Sequence, residues 1–223
     1  VSSSMTGGGK INAEFYITGD EQEVEIEPVS INVRSYIFQT VVCMGDSQVV
    51  ATNWPSILDQ LLEGTYPHAE FNTIASGVRG EMAYQAAGRF DSTVAVYHPQ
   101  IIVIGYGTND AGGGTGSFRY YMDMLVKKAK ATGATVIVHS IGYMDTKKVP
   151  GKGTYRTYNE IIRNDVCAPN GVPYVDLYSA MLADPNRYLA GDGMHLSGEG
   201  GSLLTHLVFN TMVNYLDGDG RRK

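Results

Sequence analysis

The feature that most constrains the fold of this chain is the alternation of short apolar segments with amphipathic segments after residue 40. Residues 40–44 form an apolar run rich in β-branched side chains, and residues 101–104 form the most apolar run. Continuous apolar runs of this length are typical of strands buried on both faces of a parallel sheet. Repeated strand–helix units therefore predict an α/β fold, a doubly wound three-layer α/β/α sandwich with a central parallel sheet.

The individual elements are predicted from the hydrophobic periodicity and from the turn residues between the periodic segments. Beyond the strand at 40–44, strands are predicted at 70–74, 101–104, 134–141 and 173–177. Helices are predicted at 55–62, through 82–90, at 118–130, at 155–166 and from 198 onward.

The N-terminal segment has a different pattern. Residues 1–10 are rich in Ser and Gly and are predicted to be flexible, whereas apolar residues alternate from residue 11 to 17 and again, with glutamates between them, from 23 to 27. This predicts a β-hairpin, extended by residues 31–38. The glutamate row is interpreted as a solvated strand face in preference to a cation site. The predicted organisation is a flexible N-terminus and hairpin at 1–39, a catalytic domain at 40–217 and a disordered tail at 218–223.

Composition limits the partners. The chain has 223 residues, 43% hydrophobic residues and a net charge of −6, which suits one globular domain and gives no support for nucleic-acid binding. No apolar run is long enough to predict a membrane span. A chain that begins at Val1 without a signal peptide is expected to be a mature form or an excised piece. The sequence does not determine the cellular compartment, although an extracellular one is slightly favoured. The acidic hairpin suggests that the chain belongs to a larger multidomain or oligomeric protein.

No metal or cofactor motif is recognisable. Cys43 and Cys167 fall in separate elements and are predicted to be inert, unpaired thiols. His68 and Glu70 have the spacing of the His-x-Glu motif of zinc deaminases, but no Pro-Cys-x-x-Cys segment accompanies it. His139 and His206 are interpreted as structural. We therefore expect a protein that needs no cofactor.

Four segments carry residues suited to chemistry. Ser47 ends the first strand of the α/β pattern in Gly45-Asp46-Ser47, and Gly77 follows the second strand. Asn109 follows the third, and Asp192 precedes His195 by three residues just before the last helix. Each segment also has a purely structural interpretation. Gly45-Asp46-Ser47, Gly77 and Asn109 could be turn residues, and Asp192 could cap a helix. Together they supply the nucleophile, acid, base and oxyanion donors that acyl transfer needs.

In this order and on this pattern, the motifs resemble those of the SGNH hydrolases, also called the GDSL esterase/lipase family, over residues 41–216. Gly45-Asp46-Ser47 matches the nucleophile motif, Gly77 the glycine motif, 107–110 the asparagine motif and 192–195 the acid–base motif. The chain departs from the family pattern at Gln48, where a leucine is usual, and at Ala75, where an asparagine often stands. The resemblance implies a flavodoxin-like three-layer fold.

The resemblance also implies roles. Ser47 would attack an ester carbonyl, His195 would accept its proton and Asp192 would orient the imidazole. The oxyanion would be held by the backbone N–H groups of Ser47 and Gly77 and by the side-chain amide of Asn109. Glycine at 77 would let the backbone approach the substrate closely. Asp110 is expected to support its loop by hydrogen bonding.

The substrate is the least constrained part of the prediction. Tyr143, Tyr155 and Tyr158 follow a strand and are expected to present an aromatic surface to a sugar, and no long apolar lid is recognisable. We therefore expect a carbohydrate O-acetylesterase acting through an acyl-enzyme. The alternatives are a lipase, lysophospholipase or thioesterase-like acyl hydrolase, and, outside enzymes, a binding or assembly module on an inactive esterase scaffold.

Overall fold

A computed structural model describes residues 9–11, 31–33 and 37–223. Its centre is a sheet of five parallel strands in the order β4-β3-β5-β6-β7. The strands are β3 (Ile37–Gly45), β4 (Ala69–Gly77), β5 (Ile101–Gly105), β6 (Thr135–His139) and β7 (Tyr174–Val175). The predicted fold class is confirmed, and β3 lies between the edge strand β4 and the most apolar strand, β5.

Helices cover both faces of this sheet. They are α1 (Ser47–Ala51), α2 (Trp54–Thr65), α3 (Ala83–Thr93), α4 (Thr115–Ala131), α5 (Tyr155–Glu160), α6 (Ala168–Asn170), α7 (Leu177–Met181), α8 (Pro185–Tyr188) and α9 (Gly198–Met212). Between α5 and α6 the chain forms a π-helical segment, Ile161–Cys167, where the sequence predicts an ordinary helix.

Successive side chains along β3 and β5 pack alternately into two separate apolar cores. Val42 and Met44 pack in one core with residues of α3, α4 and α5. Val41 and Cys43 pack in the other with residues of α2 and α9. Because successive side chains of a strand point to opposite faces, a run that is apolar throughout can bury both faces of the sheet. The carboxyl ends of the parallel strands then meet at one edge, where the predicted site residues lie.

The N-terminal hairpin is described only in part. β1 (Gly9–Ile11) pairs antiparallel with β2 (Ile31–Val33), with Lys10 opposite Asn32. The rest of the predicted hairpin, including its glutamate row, lies outside the described residues. The boundary at residue 39 therefore stays a prediction.

The C-terminal tail differs from the disordered segment predicted over 218–223. Leu216 and Arg222 form an antiparallel bridge, and the Lys223 N–H donates to the Tyr215 carbonyl at 2.9 Å. Gly220 is buried against Tyr66, so close that a Cβ atom there would lie 2.9 Å from the tyrosine Cβ. The composition of the tail gave no sign of this contact, because it depends on a residue about 150 positions earlier.

Candidate active site

Ser47 is held by a tight strand-to-helix turn. It is the first residue of α1, and the Asp46 side chain caps this helix by accepting the Gln48 N–H at 3.0 Å. A Cβ atom on Gly45 would lie 2.6 Å from Val49 Cγ2 and 2.8 Å from the Gly105 carbonyl oxygen. Glycine at 45 therefore lets α1 fold back onto the ends of β3 and β5, which fixes the serine at the edge of the sheet.

Asp192 and His195 lie in the loop before α9. The Asp192 Oδ1 atom accepts the backbone N–H groups of Met194 and His195 at 2.9 and 3.0 Å, while its Oδ2 lies 2.5 Å from His195 Nδ1. Partial burial acts to raise the pKa of Asp192, but the hydrogen bonds from His195 and Met194 outweigh it and lower that pKa to about 2. The carboxylate is thus ionised at neutral pH and fixed in a tight turn.

The structure brings the predicted nucleophile, base and acid into one hydrogen-bonded chain. Ser47 Oγ lies 2.9 Å from His195 Nε2, across 148 positions of sequence. With Asp192 accepting the Nδ1 proton, Nε2 is free to accept the serine proton. The N-cap of α9 is Ser197, whose side chain accepts the Gly200 N–H, so capping this helix does not explain Asp192.

Two of the three predicted oxyanion donors are backbone N–H groups at the same edge. The Ser47 N–H belongs to the first turn of α1, where N–H groups have no partner within the helix. The Val78 N–H donates to the Gly45 carbonyl at 3.1 Å and therefore faces β3. In a parallel strand the backbone N–H groups of successive residues point to opposite sides, so the Gly77 N–H points away from β3. Both assignments stay predictions.

The reason for glycine at position 77 differs from the expected approach to substrate. A Cβ atom there would lie 2.8 Å from Val49 Cβ and from Val50 Cγ2, and 3.0 Å from the Asp46 carbonyl oxygen. The space beside Gly77 is therefore occupied by α1. A side chain at 77 would push away the helix that carries Ser47.

The third predicted donor, the Asn109 amide, is bonded within the protein. Its Nδ2 donates to the Glu81 carbonyl at 3.0 Å and, at a longer 3.3 Å, to Asp46 Oδ2. These bonds use both N–H groups and hold the amide beside the residue that precedes the nucleophile. To bind an oxyanion, the amide would have to exchange its longer bond to Asp46 for one to the substrate. The assignment of Asn109 stays a prediction.

A buried ionic network supports this edge, and sequence reasoning missed it. Arg89 makes a bidentate pair with the buried Glu81, with both N···O distances 2.7 Å, and donates to the Ser76 carbonyl. Tyr106 lies with its hydroxyl 2.7 Å from the Glu81 carboxylate and 3.0 Å from the Gly45 carbonyl. The network thus joins Gly45, before the nucleophile, to Glu81, whose carbonyl holds Asn109. Glu81 and Arg89 are only eight positions apart, but their segment resembles a loop and a helix surface, and Tyr106 lies 25 positions after Glu81, so no local signal identifies the network.

The loop that follows Asn109 is held from two sides. The Ala83 N–H donates to the Asp110 carboxylate at 3.1 Å, which agrees with the supporting role predicted for Asp110. The Lys152 ammonium donates to the carbonyls of Asn109 and Ala111 at 2.9 and 3.0 Å. Lys152 gave no sequence signal, because it lies 43 residues from Asn109.

The predicted aromatic surface is wrong for two of its three members. Tyr155 and Tyr158 are buried in the core between the sheet and α4, and only Tyr143 is partly exposed. Their spacing of three on α5 places both on its inward face.

The remaining histidines and the cysteines occupy structural positions. His139 is buried, its Nδ1 lies 2.9 Å from the Ser140 carbonyl, and burial lowers its pKa. His206 is exposed on α9 and bonds the Ser202 carbonyl. Cys43 and Cys167 are both buried and unpaired, as predicted. Within 9–11, 31–33 and 37–223, no cluster of His, Cys, Asp and Glu could hold a metal ion, and no helix is long and apolar enough to cross a membrane.

Asp46 gives the site a pH-dependent stability. Burial raises its pKa to about 6, although the Gln48 N–H acts to lower it. Between about pH 4 and pH 6 the folded protein keeps a proton that the unfolded chain has lost, so stability falls as the pH rises. In Asp46→Asn this loss should vanish, and the free energy of unfolding of the variant relative to wild type should increase by roughly 2.5 kcal/mol from pH 4 to pH 7.5. Urea unfolding across this range measures the difference. Asp91→Asn, at an exposed helical site, is the control, and a constant difference for Asp46→Asn would contradict the prediction.

Comparison with known proteins agrees with this geometry. A family model described as GDSL-like lipase/acylhydrolase matches residues 43–203. A search of the curated proteins finds no significant match.

Solved structures share the fold. The lipase/acylhydrolase from Enterococcus faecalis has a TM-score of 0.71 at 22% identity, covering 79% of this chain and 96% of its own. The acetylxylan esterase Axe2 from Geobacillus stearothermophilus has a TM-score of 0.69 at 17% identity, covering 77% and 93%. A GDSL-like lipase from Bacteroides thetaiotaomicron has a TM-score of 0.64 at 23% identity, covering 80% and 89%. At these identities the likeness shows the fold.

Proposed function

The chain belongs to the GDSL-like lipase/acylhydrolase family, and on that premise we propose that it is a serine esterase that removes small acyl groups, acetyl above all, from carbohydrates. The enzyme class, a carboxylic ester hydrolase, follows from the family. The observation that carries the mechanism is the continuous chain from Ser47 Oγ through His195 to Asp192, with contacts of 2.9 and 2.5 Å. A binding module on an inactive scaffold would be expected to lack a member of this chain, and all three members are present.

The reaction then runs in two halves. Ser47 Oγ attacks the ester carbonyl as its proton passes to His195 Nε2, and the leaving alcohol takes that proton when the tetrahedral intermediate collapses. A water molecule next gives a proton to the same nitrogen and attacks the acyl-enzyme, which releases the acid and restores Ser47. Through both halves the ionised Asp192 stabilises the imidazolium. The N–H groups of Ser47 and Gly77 and the amide of Asn109 would bind the oxyanion.

A tyrosine patch near the site supports a carbohydrate substrate. Tyr84 and Tyr120 are 51% and 59% exposed, and Tyr121 lies between them, with ring centroids 6.1 and 5.1 Å away. Tyr84 follows Ala83, whose N–H binds Asp110 next to Asn109. Tyrosine combines a flat apolar face with a hydroxyl group, which suits the faces and hydroxyls of sugar rings. One structural neighbour is an acetylxylan esterase.

A second candidate is hydrolysis of esters with longer acyl chains. Val50, Val78 and Met82 are all exposed by 39% or more, and Val50 Cγ2 is 2.8 Å from the place where a Cβ on Gly77 would lie. This apolar surface beside the expected oxyanion site would suit an alkyl chain. p-Nitrophenyl esters of rising chain length separate the candidates, since an acetylesterase should lose kcat/KM steeply beyond the shortest acyl groups.

The patch predicts a selective effect on extended substrates. Tyr84→Ala and Tyr120→Ala should each lower kcat/KM on acetylated xylo-oligosaccharides by about 3- to 10-fold, because each ring contributes roughly 0.5–1.5 kcal/mol of aromatic contact. Hydrolysis of p-nitrophenyl acetate should be unchanged. The control is Tyr97→Ala, which removes a similarly exposed tyrosine just before β5, at the opposite edge of the sheet. Equal losses on both substrates, or none on either, would exclude the patch from substrate binding.

A further inference from the structure

Gln48 joins the nucleophile helix to the loop that carries the base. Its Nε2 donates to the Met194 carbonyl at 3.1 Å, and its Oε1 accepts the Leu196 N–H at 3.1 Å. These backbone groups flank His195 on both sides. The side-chain amide thus pairs with the loop as a peptide group of a neighbouring strand would, with one donor and one acceptor.

The other end of this connection is rigid. Gln48 follows Ser47 in α1, its own N–H is bound by Asp46, and its carbonyl accepts the Thr52 hydroxyl at 3.0 Å. The acid–base loop is more open, with the Asp192 side chain 52% exposed. Within the part of the chain that the structure describes, three hydrogen bonds join α1 to residues 191–196: the Ser47–His195 bond itself and the two made by Gln48.

Position 48 is one of the two places where the chain departs from the family pattern, and leucine is usual there. Leucine can fill the same space but can make neither hydrogen bond. We propose that Gln48 is a positioning residue that holds the acid–base loop in register with the nucleophile, so that His195 Nε2 stays within hydrogen-bond distance of Ser47 Oγ. This inference rests on the proposed serine-esterase function. Gln48 acts through His195 and takes no part in the chemistry.

Loss of the connection should reduce the rate of chemistry more than binding. Because a displacement of about 1 Å in a catalytic group can cost on the order of 10²-fold, Gln48→Leu should lower kcat by about 10- to 100-fold with KM little changed. The rate at which an organophosphonate modifies Ser47 should fall by a similar factor. Gln48→Glu keeps the acceptor for Leu196, but its carboxylate faces the Met194 carbonyl and repels it. Once protonated, the introduced carboxyl group can donate again, so the ratio of variant to wild-type kcat should rise as the pH falls from 8 towards 5.

The experiment measures kcat, KM, phosphonylation rate and melting temperature for wild type, Gln48→Leu, Gln48→Glu and Thr65→Val. Thr65→Val removes a threonine hydroxyl bond to a helix carbonyl at the end of α2, which holds neither Gln48 nor the acid–base loop, and it should keep wild-type kcat. Full kcat in Gln48→Leu, or a pH-independent ratio for Gln48→Glu, would overturn the positioning role. If Gln48→Leu does not fold, the pH dependence of Gln48→Glu decides. A wild-type protein without hydrolysis or phosphonylation would instead refute the proposed function itself.

Discussion

Ser47→Ala is expected to lower kcat by about 10⁴- to 10⁶-fold on any ester that the wild type hydrolyses, because removing the nucleophile of a serine hydrolase abolishes the acyl-enzyme route. The physical basis is the position of Ser47 at the start of α1, with its Oγ 2.9 Å from His195 Nε2. An organophosphonate should add once to the wild-type protein, and peptide mapping should place the adduct on Ser47. The variant should stay unlabelled while keeping its melting temperature within a few degrees.

The control for this prediction is Ser92→Ala, which removes an exposed hydroxyl bonded to the Arg89 carbonyl. It should be labelled and active like the wild type. Undiminished labelling of Ser47→Ala would show that another residue is the nucleophile. An unlabelled but fully active Ser47→Ala would exclude a serine acyl-enzyme.

The architecture could be predicted because buried parallel strands leave a strong local pattern. The uninterrupted apolar runs of β3 and β5 required cover on both faces, and the segments between the strands have helical periodicity. Topology brought the loops of Ser47, Gly77 and Asn109 to one edge, since loops after parallel strands meet there, and the family resemblance added Asp192 and His195. The structure places Ser47, His195 and Asp192 together, as this reasoning expected.

Most of the failures concern contacts that the local sequence pattern does not show. Tyr155 and Tyr158 were expected to be exposed because they follow a strand, but packing against α4 buries them. The π-helical segment at Ile161–Cys167 has an apolar pattern that periodicity assigns to an ordinary helix. The Glu81–Arg89 pair and the two bonds of Gln48 become visible only when the chain is folded. The sequence thus predicted the proposed reacting groups, while the contacts that orient them required the structure.

Substitution of Asp192 by asparagine can distinguish a role in catalysis from a role in folding the local turn. Its carboxylate performs two tasks: Oδ1 accepts two backbone N–H groups in the turn, and Oδ2 binds His195 Nδ1. An asparagine can do the first with its amide oxygen. Its NH₂ group would then face Nδ1 and donate to it, which leaves the imidazole proton on Nε2. A protonated Nε2 donates to Ser47 and cannot accept its proton.

Asp192→Asn should therefore lower kcat by about 10⁴-fold with little change in melting temperature, the size of effect that follows when a catalytic histidine takes the wrong tautomer. Because the pKa of Asp192 is about 2, its carboxylate stays ionised from pH 5 to 9, and no pH in that range should reproduce the loss in the wild type. The matched control is Asp184→Asn, which changes another aspartate that accepts a backbone N–H, in this case at the start of α8. If Asp192 served only the turn, both asparagine variants would remain active. Measuring kcat and the melting temperature of the two variants on the same substrate therefore decides whether the bond to His195 is needed for catalysis.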